Sequence, residues 1–325
     1  MISNTETLKG LVIRASHNII FVHIINTDGT PEILECRIKG KVLKGSGNFY
    51  NPIAPGDIVL VEHQKNISKG ASKTAYAQIL SVENRRNYFS RYNQKGAAGQ
   101  LLAANIDLVL CVTTPLSPPF RPRFLDRVLL QADIAGITPI VICNKIDIKY
   151  DNIDADERLE EYKRIGYKLI KISAKTGEGT EDLKREIKGK TCVLTGQSGV
   201  GKSSIINALQ PGLDIREGSI NAKYDRGVHT TTMSDMFELS DGTKLIDTPG
   251  VRRFIPDGIK SEDLITHLRD FAPLAGKCSF GMSCSHKTEP GCKIMEAVAA
   301  GVIHEDRYVS YLRIIDDLEG KDNDD

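Results

Sequence analysis

The sequence predicts a multidomain chain: an N-terminal β-barrel of the OB-fold type, a central α/β domain on a mostly parallel sheet, and a C-terminal α-helical segment around a cysteine–histidine cluster. Three observations predict it. Short β-prone runs broken by turn residues fill the first 85 positions. Apolar strands then alternate with amphipathic helices, and a glycine-rich loop joins a strand to a helix at residues 191–204. Near the C-terminus, three cysteines and a histidine fall within fifteen residues. The expected boundaries are 1–85, 86–255 and 256–325.

Composition narrows the class. A chain of 325 residues with 40% hydrophobic content can build two or three cored domains. No apolar run approaches the ~20 residues that span a bilayer, and the opening MISNTETLKG lacks a secretory pattern. The expectation is a soluble, cytoplasmic chain with no membrane partner. No interface is visible, so a monomer is expected. Cys36, Cys111, Cys143 and Cys192 lie scattered in strand-like segments and read as reduced core thiols. The net charge of +1 conceals an asymmetry: residues 1–95 hold 13 Lys and Arg against 7 Asp and Glu, and the remainder is acidic. A basic first third fits an anionic partner, or an ordinary solvated face.

In the first domain, Leu11–Arg14, Ile19–Ile25, Ile33–Cys36, Ile58–Glu62 and Ala75–Val82 read as strands. Asp28-Gly29, Gly45-Ser46-Gly47, Pro55-Gly56-Asp57 and Lys69-Gly70 separate them. Five short strands match an OB-fold barrel. Arg37, Lys39, Lys41 and Lys44 beside Phe49 and Tyr50 suit phosphate contact with base stacking; a structural barrel is the alternative. Asn84-Arg85-Arg86-Asn87 reads as a polar exit.

In the second domain, strands are expected at Ile106–Thr113, Ile140–Cys143, Leu169–Ile172, Thr191–Thr195 and Lys244–Asp247. Helices are expected at Leu125–Ala135, Asp156–Ile165 and Thr180–Ile187, with Gly136 and Gly166 ending the first two. Each chemically informative motif follows a strand, where doubly wound sheets bind ligands. Gly196-Gln197-Ser198-Gly199-Val200-Gly201-Lys202-Ser203-Ser204, with Lys202 to Leu209 reading as the start of a helix, is a P-loop. Its N–H groups and helix N-terminus cradle phosphate, Lys202 reaches the β- and γ-phosphates, and the Ser203 hydroxyl ligates Mg²⁺. Asn144-Lys145-Ile146-Asp147 follows PIVIC. The Asp147 carboxylate can accept from guanine N1–H and N2–H₂, donors that adenine lacks in that geometry. Lys145 would lie along the base and Asn144 would tie this loop to the P-loop. Ser173-Ala174-Lys175 reads as a second base loop, with the Ala174 N–H at guanine O6. Asp247-Thr248-Pro249-Gly250 supplies Asp247, the acid that holds Mg²⁺ through water, and the γ-phosphate-sensing N–H of Gly250. Between them, Arg226-Gly227-Val228-His229-Thr230-Thr231-Thr232 carries threonines able to complete the Mg²⁺ shell, of which Thr231 is favoured.

These are the GTPase motifs in shifted order: NKID and SAK precede the P-loop, and the threonine loop and DTPG follow it. The chain resembles a circularly permuted GTPase. With the barrel, the terminal cysteines, AANID and RGVHTTT, it resembles the bacterial ribosome small-subunit-dependent GTPase A (RsgA) family over nearly its whole length. That resemblance implies a GTP hydrolase that binds the 30S subunit through 16S rRNA in late maturation and leaves on hydrolysis. Val251 follows DTPG where many GTPases carry a water-orienting glutamine, so another group must position water. His229 is the nearest candidate, with a structural or RNA-facing role as its alternative. Slow intrinsic hydrolysis, stimulated by a partner, is expected.

In the third domain, Cys278, Cys284, His286 and Cys292 fit a closed tetrahedral Cys₃His zinc site of structural type. A disulfide is disfavoured in a reducing compartment, and an iron–sulfur cluster normally takes four thiolates. Against the family's Cys-x₄-Cys spacing, this chain has one extra residue. Helices are expected at Ser261–Phe271, with Ser261 as cap, at Ile294–Ala300 and at Asp306–Leu318, followed by an uninformative acidic tail. Contacts at Gly250 would tilt this segment with nucleotide state. Two other function classes remain: a nucleic-acid-binding regulator with guanine nucleotide as a passive switch, and a P-loop kinase or ATPase, against which Asp147 argues.

Overall fold

The computed structural model describes residues 5–16, 19–39, 43–45, 47–64, 77–149, 153–212, 234–250 and 253–320. Lys41, the Lys69-Gly70 turn, the 226–232 loop with His229 and Thr231, Val251 and the tail beyond Gly320 lie outside the described residues.

Strands β1 (Thr5–Ala15), β2 (Ile20–Ile25), β3 (Pro31–Ile38), β4 (Ile58–Gln64) and β5 (Ala77–Val82) form the N-terminal barrel. Their order is β1-β2-β3-β5-β4, and β4 pairs back on β1 to close the barrel. The β3–β5 pair is parallel and the others antiparallel. Period-two alternation turns Val22, Ile24, Leu34, Cys36, Val59, Val61 and Ile79 inward as one core.

Strands β6 (Tyr88–Asn93) and β7 (Ala98–Ala104) form a separate hairpin that propensity did not reveal. The four residues before it are the polar exit from the barrel, irregular in backbone with Asn84 and Arg86 exposed. Arg85 donates to both carboxylate oxygens of buried Asp57, at 2.6 and 2.9 Å, and to the Pro52 carbonyl. The Asn87 amide brackets the backbone of Ile106. Arg85 and Asn87 thus anchor this exit to the neighbouring backbone and to Asp57.

The central sheet contains β8 (Leu108–Thr113), β9 (Thr138–Cys143), β10 (Lys168–Lys171), β11 (Thr191–Gly196), β12 (Ser234–Glu238) and β13 (Lys244–Asp247). Its order is β10-β9-β8-β11-β13-β12, parallel except for the edge strand β12. Helices α1 (Pro122–Ile134) and α2 (Ile153–Arg164) cover one face, and α3 (Thr180–Ile187) and α4 (Lys202–Leu209) the other. In β8, Val109 and Cys111 join the first core while Leu108, Leu110 and Val112 join the second. Both faces are therefore dry, which is why the strand reads as one apolar run. Cys36, Cys111, Cys143 and Cys192 are free and buried; burial pushes the Cys143 thiol up to about 12. Through β12, this sheet continues into β1 at Arg14–Asp235 and Ala15–Ser234, so barrel and central sheet share one run of eleven strands.

The C-terminal segment holds α5 (Leu264–His267), α6 (Lys293–Ala299) and α7 (Glu305–Leu318). The expected helix at 261–271 is broken: Ser261–Asp263 is a 3-10 turn, α5 is four residues long and Leu268 is extended. Ser261 makes no side-chain cap, and Lys260 occupies the cap position. Leu264, Ile265, Leu268 and Phe271 are nevertheless all buried with Leu130 of α1. The break aims two side chains at partners. Arg269 pairs with Asp133 at 2.6 Å over the Tyr167 ring, and Asp270 meets Arg307. These charge-assisted contacts outweigh one turn of helix.

Arg307, buried in α7, donates to Asp126 of α1 at 2.8 Å and to Asp270 at 3.0 Å, while the Tyr162 hydroxyl of α2 donates to Asp126 at 2.6 Å. The two carboxylates raise the Arg307 guanidinium well above its ordinary range despite burial. Arg307→Met would strip Asp270 of this cation and leave buried Asp126 with only the Tyr162 hydroxyl and Arg158 at 3.6 Å. Its unfolding free energy in denaturant should fall by about 3–5 kcal/mol. Adding Asp126→Asn should recover part of that loss; equal losses in the single and double variants would contradict the account.

Candidate functional site

The motif-bearing loops leave the carboxyl ends of β9, β10, β11 and β13 along one edge of the central sheet. β9 and β13 are three strands apart, about 14 Å at ordinary strand spacing. The chain reverses sharply between β11 and α4, with Gly199 and Gly201 both at positive φ. Gly201 is required twice: its φ is +93°, and a β-carbon there would lie 2.5 Å from Asn144 Nδ2.

Asn144, which is buried, donates through Nδ2 to the Val200 carbonyl at 2.9 Å and accepts through Oδ1 from the Ala174 N–H at 3.0 Å. One amide therefore ties the NKID loop to both the P-loop and the SAK loop. Lys145, with φ +66°, donates to the Gly199 carbonyl at 2.7 Å and the Ser117 carbonyl at 2.8 Å. The Ser173 hydroxyl donates to Asp147 at 2.7 Å and accepts from the Thr176 N–H, which fixes the carboxylate's orientation. Lys175 is exposed, and Ile146 packs against the α1/α2 core.

At the other end, Lys202 is buried and donates to the Gly196 and Gln197 carbonyls, both at 3.3 Å. Burial lowers its pKa, and Asp247 opposes that shift. Asp247 has the inverse situation. Burial pushes its carboxyl up to about 6, with Lys202 opposing and neighbouring Asp235 adding to the rise. Its Oδ1 is shut off from solvent and has no hydrogen-bond partner among the described residues. A buried, unpaired carboxylate oxygen beside a phosphate-type loop fits a divalent cation, and Ser203 lies in the first turn of the adjoining helix. Gly250 lies against the P-loop so closely that a β-carbon would sit 2.8 Å from Ser198 Cα. The site thus brings together segments 144–147, 173–175, 196–204 and 247–250. His229 and Thr231 lie outside the described residues.

Two contributors escaped the sequence reading. The loop after β8 supplies the Ser117 carbonyl to Lys145; its signal was its place after a parallel strand. Asp235, on the unrecognised strand β12, stands opposite Asp247 in register. Its signal was faint, since SDMFE does not alternate cleanly.

The cysteine cluster lies in the C-terminal segment. The ligand atoms of Cys278, Cys284, His286 and Cys292 all lie within 4.8 Å of one another, and all four residues are buried. The Cys278 and Cys292 sulfurs are 3.9 Å apart, and His286 Nδ1 is 3.5 and 3.4 Å from them. Sulfurs bound tetrahedrally at ~2.3 Å sit about 3.8 Å apart, so the group could hold a zinc ion. A 3-10 turn at Gly281–Ser283 leads into Cys284. The Lys293 N–H donates to Cys278 Sγ at 3.2 Å, and Tyr308 holds the His286 carbonyl at 2.6 Å.

Comparison with known proteins agrees with this geometry. A family model described as RsgA GTPase matches residues 82–255. A Bacteroides fragilis protein named small ribosomal subunit biogenesis GTPase RsgA is 36% identical over 316 residues, covering 96% of this chain and 97% of the relative. One of the same name from Porphyromonas gingivalis is 38% identical, covering 95% and 97%. The crystal structure of YjeQ from Thermotoga maritima superposes with a TM-score of 0.67 at 29% identity, covering 97% of this chain and 99% of that one. That of YloQ, described as a circularly permuted GTPase, shares the fold with a TM-score of 0.63 at 24% identity, over 98% of both chains.

The raised Asp247 carboxyl has a measurable consequence. The folded state binds a proton more tightly than the unfolded chain, so this group costs stability once pH rises through about 6. Asp247→Asn should therefore stabilise the nucleotide-free protein in EDTA at pH 8, by roughly 1–2 kcal/mol. The gain should vanish near pH 4. Denaturant unfolding at the two pH values checks both the sign and the window.

Proposed function

The chain belongs to the RsgA GTPase family, and from that premise we propose how its own residues serve a GTPase of small ribosomal subunit biogenesis. The observation that carries the reading is the Asn144 amide, which holds the guanine-type loops against the P-loop although the P-loop follows them in the chain. The specificity end and the phosphate end then form one elongated site.

Asp147 accepts from guanine N1–H and N2–H₂, oriented by Ser173, while the Ala174 N–H, donated to Asn144 Oδ1 in this structure, would have to leave that bond to meet O6. Lys145 lays its stem along the base, beside Ile146. Asn144 and Lys175 frame the two base loops. The backbone of Gly196, Gln197, Ser198, Gly199, Val200, Gly201 and Ser204 wraps the phosphates, and Lys202 moves from the Gly196 and Gln197 carbonyls to the β- and γ-phosphates. Mg²⁺ would supply charge neutralisation at those phosphates; Ser203, Asp247 and Thr231 are the residues to hold it. Gly250 offers its N–H to the γ-phosphate, and His229 positions the attacking water.

The Cys₃His group holds one structural zinc ion, closed to substrate. The basic barrel contacts 16S rRNA of the 30S subunit as a cytoplasmic monomer, with working units 1–85, 86–255 and 256–325. Support for nucleotide-dependent tilting of the last unit comes just past the γ-phosphate loop. There, Arg253 donates to Asp317 of α7 at 2.7 Å, and Asp317 also accepts from Arg127 of α1 at 3.0 Å.

GTP turnover of the purified protein should be slow and should rise at least about tenfold with saturating small subunits, but not with free RNA. His229→Ala should lower the stimulated rate by about a hundredfold with little change in nucleotide affinity; rapid turnover without subunits would sink the scheme. Elemental analysis should find one zinc per chain. Its removal by chelation should melt the 256–320 segment in circular dichroism while leaving guanine-nucleotide affinity within a few-fold.

A further inference from the structure

Strand β12 places a second carboxylate beside Asp247. Asp235 and Asp247 are directly opposed in the antiparallel β12–β13 pair, so their side chains leave the same face of the sheet. Asp235 is 3% exposed. One of its oxygens accepts from Arg14 Nε of the barrel strand β1, across 221 positions of sequence. Its Oδ2 is buried and has no partner among the described residues, as is true of Asp247 Oδ1. Arg14 is itself held over the Phe21 ring, with its guanidinium carbon 5.6 Å from the centroid.

Two adjacent buried carboxylates repel each other, and each unpaired oxygen is costly. Arg14 answers one oxygen of Asp235, and Lys202 opposes the charge of Asp247. The remaining oxygens call for donors or a cation. We propose that Asp235 is a positioning residue of the Mg²⁺–nucleotide site. Its Oδ2 accepts from a Mg²⁺-bound water while Asp247 faces the cation, and Arg14 sets the carboxylate's orientation. The barrel thereby supplies, through Arg14, an outer support for the cation site of the neighbouring domain. This rests on the reading of that site as one for Mg²⁺ and guanine nucleotide.

The test is a Mg²⁺ titration of fluorescent GDP and GTP-analogue binding to the full chain, compared with binding in EDTA. Wild type should show Mg²⁺-dependent affinity. Asp235→Asn should raise the Mg²⁺ midpoint about tenfold, the usual effect of losing an outer-shell carboxylate, with affinity in EDTA unchanged. Arg14→Lys, which keeps the charge but loosens the orientation, should raise it several-fold and serves if Asp235→Asn does not fold. A merely structural Arg14–Asp235 pair would instead shift the EDTA and Mg²⁺ affinities together, and that result overturns the inference, as does an unchanged midpoint. Wild-type binding indifferent to Mg²⁺ would overturn the underlying site reading instead.

Discussion

Asn144 is one short amide with two jobs that cannot be separated. Its Nδ2 reaches the carbonyl of Val200 and its Oδ1 receives the N–H of Ala174. The carbonyl and the N–H it meets decide which end of the amide faces which loop. Because the residue is buried, losing either partner leaves a polar group stranded. The neighbouring backbone conforms to it. Gly201 carries no side chain where one would strike the amide, and Lys145 adopts a left-handed conformation that sends its ammonium to the Gly199 carbonyl. The three loops are set by this single contact more than by the order in which the chain makes them.

That independence from order makes the permuted arrangement workable. Parallel strands β8, β9, β10, β11 and β13 present their carboxyl ends along one edge whichever is translated first. The new connections run to other parts of the molecule. The barrel is joined through β1 and β12, with Arg14 on Asp235. The hairpin holds the stretch after DTPG, since Tyr92 N–H donates to Ile255 and Ser90 to Asp257. The C-terminal segment docks on α1 through Arg307, Arg269 and Asp317. Most of these joints are ion pairs shielded from water, where a partner lost costs more than the pair contributes.

Elements carrying strong local signals matched the chain reading. β11, β13 and α3 fall at the expected residues, because an apolar run between turn residues and a helix ended by glycine are short-range properties. Gly136 and Gly166 take the positive φ their positions called for. The four cysteine-cluster residues converge as their spacing implied, the extra residue notwithstanding. The failures share a cause. The β6–β7 hairpin, β12 and the broken helix at 261–271 each make contacts with residues distant in sequence: Ser90 with Asp257, Asp235 with Arg14, and Arg269 and Asp270 with Asp133 and Arg307.

By itself, then, the sequence determined which chemistry the chain can perform. A P-loop, a guanine-reading carboxylate and a Cys₃His set depend on residue type and near-neighbour spacing, and both are written in the chain. The tertiary structure decided which groups are deprived of water and which charges face one another. Asp247 and Lys202 were legible as residues, yet their opposed shifts exist only because folding buries them together. Asp235 became visible only when an antiparallel register laid it across from Asp247. Desolvation and long-range juxtaposition are properties of the packed molecule, and no local stretch of sequence encodes them.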